Sequence, residues 1–120
     1  MLHLEIKDAL EREFPTALAE PPRLTQDALR VTLNNGVVLE LRVPAEQAYS
    51  FAWRWGDAEL RIDTAPLHPG LASFPNHLHD ANGEVRADTL TSPAAGACDN
   101  VRAVIQAVLR DPLLGAGAAV

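Results

Sequence analysis

The stretch that decides the fold runs from Leu29 to Asp63 and reads LRVTLNNGVVLELRVPAEQAYSFAWRWGDAELRID. Apolar and polar residues alternate through it with period two, the repeat of strands whose successive side chains point to opposite faces of a sheet. Leu29, Val31 and Leu33 face one way, with Arg30 and Thr32 opposite. Val37, Leu39, Leu41 and Val43 repeat the pattern, followed by Tyr49, Phe51, Trp53 and Trp55, and then by Ala58, Leu60 and Ile62. Four strands of one half-buried antiparallel sheet account for this alternation.

The turns follow from the same alternation, because directly opposed residues of an antiparallel pair must share a face. A two-residue Asn35-Gly36 turn sets Val31 opposite Glu40 and mixes the faces. A three-residue loop, Asn34-Asn35-Gly36 with Gly36 left-handed in a bulge, instead places Val31 beside Leu39 and Arg30 beside Glu40. Gly56-Asp57 works as a two-residue connection that pairs Trp53 with Leu60, Phe51 with Ile62 and Arg54 with Glu59. Between these turns, Pro44 to Ala48 forms a longer loop that lets Val43 and Leu41 meet Tyr49 and Phe51. Tyr49, Phe51, Trp53 and Trp55 then read as core residues, not as a base-stacking platform.

Outward from the sheet, Leu2, Ile6, Ala9 and Leu10 recur at helical spacing and predict a short N-terminal helix that Pro15 ends. Three prolines make Pro15 to Pro22 a connector. Near the other end, Asp99 reads as a helix cap, and Val101, Val104, Ile105, Val108 and Leu109 form a stripe suited to covering the apolar sheet face. Asp111-Pro112 stops that helix, and 115–120 reads as a frayed tail. Asn82-Gly83 marks a turn, after which Glu84 to Thr89 adds a short edge strand. The expected fold class is α+β, with an antiparallel four- to five-stranded β-meander, a C-terminal helix packed on one face and a short N-terminal helix. One domain over 1–120 suffices for it.

Composition narrows the function classes. With 48% apolar and 22% charged residues in 120, the chain carries enough material for one core. No apolar run is long enough to cross a bilayer, and Glu5, Asp8 and Glu11 stand where a secretion signal would be basic and then apolar, so a cytoplasmic location is expected. The single cysteine, Cys98, excludes an internal disulfide and a multi-cysteine zinc site, and reads as a small packing residue. A net charge of −6 argues against binding nucleic acid through overall electrostatics, so any RNA contact must be local.

Chemistry concentrates after the meander. Three of the four histidines, His68, His77 and His79, lie within Asp63-Thr-Ala-Pro-Leu-His68-Pro and Phe74-Pro-Asn-His77-Leu-His79-Asp80. The remaining one, His3, has no local partner pattern. Prolines 66, 69 and 75 with Gly70 argue against regular ladder bonding through Phe74.

In order and spacing this region, with the hairpins before it, resembles the TumE-like family of toxin–antitoxin proteins. Members tend to show Asp-Asn-Ala-Pro-His-His-Pro and then Phe-Pro-His-His-x-His. Asp63, Ala65, Pro66, His68, Pro69, Phe74, Pro75, His77 and His79 match, while Thr64, Leu67 and Asn76 depart and remove two histidines. The resemblance implies a toxin-like component of a type II pair, with a helix-turn-helix antitoxin as its protein partner.

Three readings of the histidines compete. In the first, His68, His77 and His79, oriented by Asp63, do acid–base work on an RNA phosphodiester without metal or cofactor, and Arg42, Arg54 and Arg61 bind phosphate. In the second, His77-x-His79 is a metal pair completed by His68 or Asp63. In the third, the imidazoles are structural and the protein is a non-enzymatic binding module with a stiffened loop. The arginines share a face with Glu40, Glu59 and Asp63, so a solvated ionic surface competes with a phosphate platform. The first reading is the one adopted as the expectation.

Overall fold

The computed structural model describes residues 2–115. Helix α1 (His3–Glu13) is followed by seven strands and then by helix α2 (Ala97–Arg110). The strands are β1 (Arg23–Leu24), β2 (Leu29–Thr32), β3 (Val38–Ala45), β4 (Ala48–Trp55), β5 (Ala58–Asp63), β6 (His77–His79) and β7 (Val85–Ala87). They form one antiparallel sheet in the order β1 to β7, so that every strand pairs with its neighbour in sequence.

The registers follow the face argument. Val31 pairs with Leu39 and Arg30 with Glu40, while Trp53 pairs with Leu60, Phe51 with Ile62 and Arg54 with Glu59. The β2–β3 loop holds three residues: the Leu33 N–H donates to the Val37 carbonyl at 2.9 Å, and Gly36 has φ of +94°.

Several expectations need correction. The sheet has seven strands, not four or five, because β1 and β6 were invisible to the alternation. Two and three residues are too few for a period-two pattern to register. The 44–48 loop is shorter than expected: β3 runs on to Ala45, which pairs with Ala48 after a register shift beyond Arg42. Trp55 is 41% exposed and donates its indole N–H to the Asn35 carbonyl, so it closes the first turn instead of entering the core. Helix α2 starts at Ala97 with Gly96 at its cap, which leaves Asp99 inside the first turn. The expected tail lies outside the described residues beyond Gly115.

Both helices cover the same sheet face. Ile6 and Leu10 of α1 join Val101, Val104, Ile105 and Val108 of α2 and the apolar row of the strands in one buried cluster. Tyr49 and Phe51 stack within it, with ring centroids 4.7 Å apart. Burying each large side chain contributes roughly 1.5–3 kcal/mol, which is ample to hold two short helices against the sheet. Arg102 ties the helices together by pairing with Glu13 at 2.5 Å. The opposite face, free of helices, carries the polar half of every strand.

Candidate functional site

Strand pairing builds the site before any loop does. Partners across neighbouring strands share a face, and on the polar face Arg30, Glu40, Ala52, Arg61 and His79 form one row across β2 to β6. The adjacent row runs through Arg42, Ser50, Asp63 and His77. Asp63 ends β5 and His77 begins β6, so the antiparallel pairing sets the carboxylate directly beside the two imidazoles.

The four side chains meet closely. His77 Nε2 lies 3.0 Å from His79 Nε2 and 3.2 Å from Asp63 Oδ1, and His79 Nε2 lies 3.5 Å from Asp63 Oδ2. Arg61 donates through Nε to Asp63 Oδ2 at 2.7 Å, and its Nη2 stands 3.0 Å from His79 Nε2. A guanidinium only donates, so that His79 nitrogen accepts. His77 Nδ1 lies 3.2 Å from the Pro75 carbonyl, which only accepts, so that nitrogen carries a proton and leaves Nε2 to face Asp63 and His79. The Ala65 N–H donates to Asp63 Oδ1 at 3.0 Å, which fixes the carboxylate from the loop side.

Electrostatics follow from these contacts. Burial by itself raises the Asp63 pKa, but the Ala65 N–H, the Arg61 hydrogen bond and the nearby His77 outweigh it and hold the carboxyl below its ordinary value. Asp63 is therefore an anion at neutral pH. Burial, then the Arg61 charge, lowers the pKa of His79, which keeps that ring neutral.

The loop between β5 and β6 folds back over this face. His68, halfway along it, stands edge-on to His77 with ring centroids 4.8 Å apart. His77 is 1% exposed as a result, whereas His68 and His79 remain partly open. The Phe74–Pro75 peptide bond is cis. Leu67 and Phe74 project from the loop into solvent.

Beside the centre lies a trough of about 480 Å³, walled by Arg30, Arg54, Arg61 and His79 together with Glu40 and Glu59. Of the three arginines expected to hold phosphate, Arg54 and Arg61 line this trough. Arg42 does not: it pairs with Glu40 at 3.2 Å and with Asp27 at 3.7 Å, and borders a separate hollow with Ser50 and Asp63. Arg30, which shares this face but is not among the three arginines expected to hold phosphate, lines the trough as well, and its place opposite Glu40 in the register is the signal that it belongs here.

The four expected chemical residues, Asp63, His68, His77 and His79, thus come together in space. A family model described as toxin TumE matches residues 6–112. The chain belongs to the toxin TumE family. Comparison with curated proteins and with solved structures finds no match.

Membership gives the two departures from the TumE-like pattern a structural meaning. Leu67 is 71% exposed, with its side chain largely in solvent. Asn76 is buried, but its amide donates to Asp88 Oδ2 at 2.8 Å and to the Thr91 carbonyl at 2.9 Å, away from Asp63. Neither position contributes to the Asp63, His77 and His79 group of this TumE-family chain. Cys98, whose thiol pKa is raised by burial and then by Glu5, stays protonated and takes no part. Among the described residues, no helix is long and apolar enough to cross a membrane.

Proposed function

We propose that this chain is the toxin of a type II toxin–antitoxin pair and that its Asp63–His77–His79 centre cleaves RNA at a phosphodiester. One observation carries the reading: the centre stands at the end of a trough whose walls hold Arg30, Arg54 and Arg61. Cleavage by internal attack needs a base for the 2′-hydroxyl proton, cations against the phosphoryl oxygens, and an acid for the leaving 5′ oxygen. In this reading the centre takes the proton, Arg61 with Arg30 and Arg54 holds the phosphate, and His68 protonates the leaving oxygen. His77 is too buried to touch RNA and positions Asp63 instead.

The net charge of −6 confines attraction for RNA to this local group. Such a toxin works in the cytoplasm beside a helix-turn-helix antitoxin. Leu67, 71% exposed, and Phe74, 45% exposed, lie on the loop that covers the centre and suit a protein that would bury both. A second reading, a binding module without chemistry, is favoured by Glu40, Glu59 and Asp80, which share the trough with the arginines.

Expression from a tight promoter separates the two. Growth arrest should appear only when the neighbouring antitoxin gene is absent. His79→Ala, at a partly exposed position, should relieve it and slow RNA cleavage by the purified protein by about 10²–10⁴-fold. Equal arrest by wild type and a folded His79→Ala protein would leave only the binding reading.

A further inference from the structure

We infer that Asp63, His77 and His79 form a binding site for one divalent transition-metal ion of the zinc class. The inference rests on the reading that this cluster is the working centre, and it adds an ion to it. Single donor atoms from the three residues lie within 4.8 Å of one another. His77 Nε2 and His79 Nε2 are 3.0 Å apart, and the two carboxylate oxygens divide between them, Oδ1 at 3.2 Å from His77 and Oδ2 at 3.5 Å from His79. Ligands about 2.0–2.2 Å from a common zinc ion stand roughly 3–3.5 Å from one another, so the spacing of the donor atoms fits an ion between them.

Lone pairs make the same point. His77 Nδ1 carries the proton it gives to the Pro75 carbonyl, so Nε2 is the nitrogen that faces Asp63 and His79 and the one an ion would take in place of a proton. His79 Nε2 presents a lone pair, because it accepts from Arg61. Asp63 brings two oxygens. Arg61 neutralises Oδ2 and His79 Nε2 but leaves His77 Nε2 facing Oδ1 and the other imidazole. Converging acceptors need a positive centre among them, either a proton on His77 Nε2 or a metal ion in its place. The Pro75 bond is also the support that metal-ligating imidazoles usually have, an outer N–H held by a carbonyl so that ring orientation is fixed.

Two imidazoles and one carboxylate suit zinc or its neighbours and leave a coordination position open. Of the residues at the group, His79 and Arg61 are the ones partly exposed. The Arg61 side chain is 48% exposed, and entry of an ion requires its hydrogen bond to His79 Nε2 to yield. His68 lies outside the ligand group and keeps its proton-transfer role.

The full-length protein, stripped with a chelator and dialysed against zinc chloride, should take up one zinc per chain by elemental analysis. His79→Ala should weaken uptake at least about tenfold, whereas Arg61→Ala and His68→Ala should retain it. Cobalt substituted for zinc should give the intense visible bands of a four-coordinate nitrogen and oxygen site. Substoichiometric zinc in the wild type, or equal uptake by a folded His79→Ala protein, overturns the inference. RNA cleavage that persists undiminished in the stripped protein, together with substoichiometric zinc uptake, overturns it and leaves the nuclease reading standing. One zinc per chain, lost in His79→Ala, with no RNA cleavage with or without metal, keeps the site and removes the nuclease reading.

Discussion

His3 illustrates how a single side chain acquires a role that its sequence neighbours do not announce. It sits on the buried face of α1, and its Nε2 accepts the Val43 N–H at 2.9 Å, joining the first helix to β3. Only a neutral ring can accept there, and burial is the leading cause that lowers its pKa below the ordinary value of 6.5. Between the lowered value and 6.5 the unfolded chain binds more protons than the folded one, so this contribution to stability is complete above 6.5 and is lost as pH falls through the folded value. Denaturant titrations from pH 8 down to 5 should show that decline in the wild type, with a shallower one in His3→Gln. His3→Ala strands a buried N–H and should cost about 1–3 kcal/mol at pH 8.

At the scale of elements, the first hairpin turn carries the most information. Gly36 adopts φ of +94°, and a Cβ there would meet the Trp55 ring at 3.6 Å, an ordinary contact. Backbone conformation, not space, therefore reserves the position for glycine. Gly36→Ala should lower unfolding free energy by about 1–2 kcal/mol with the denaturant slope unchanged. A larger loss would mean that the Trp55 bond to the Asn35 carbonyl had broken as well. The β2–β3 and β4–β5 registers were legible because each run is long enough for alternation and each turn admits one length that keeps faces consistent. Strand β6 was not: His77-Leu78-His79 has one apolar residue, and its alternation becomes visible only when Leu78 packs opposite Ile62 in the core.

At the scale of the whole molecule, what matters is how the covering loop is held down. Asp88 accepts from the Asn76 amide and the Thr91 hydroxyl on one oxygen and from the Leu90 N–H on the other, while its own N–H donates to Ser73 Oγ. Thr91 in turn meets the Tyr49 hydroxyl at 2.7 Å, so the network joins β4, the loop and the chain leading to α2. Asp88→Ala removes the acceptor from several buried donors and should cost about 2–3 kcal/mol. It should also reduce cleavage and zinc uptake, although Asp88 touches neither Asp63 nor the imidazoles. Unchanged uptake in a destabilised Asp88→Ala protein would show that strand pairing alone holds the centre.

The sequence by itself determined the central meander, its two tight turns, both helices and the identity of the four residues that gather at the site. Those features rest on local periodicity and turn chemistry, which are written in neighbouring residues. Tertiary structure decided that Asp63, His77 and His79 converge while Arg42 is drawn away by Asp27 and Glu40, and that Asn76 belongs to a buried network instead of the centre. Such outcomes depend on which strand lies beside which and on competition among partners across the fold. Distances between side chains remote in sequence have no local signature, and the chemistry of this face follows from those distances.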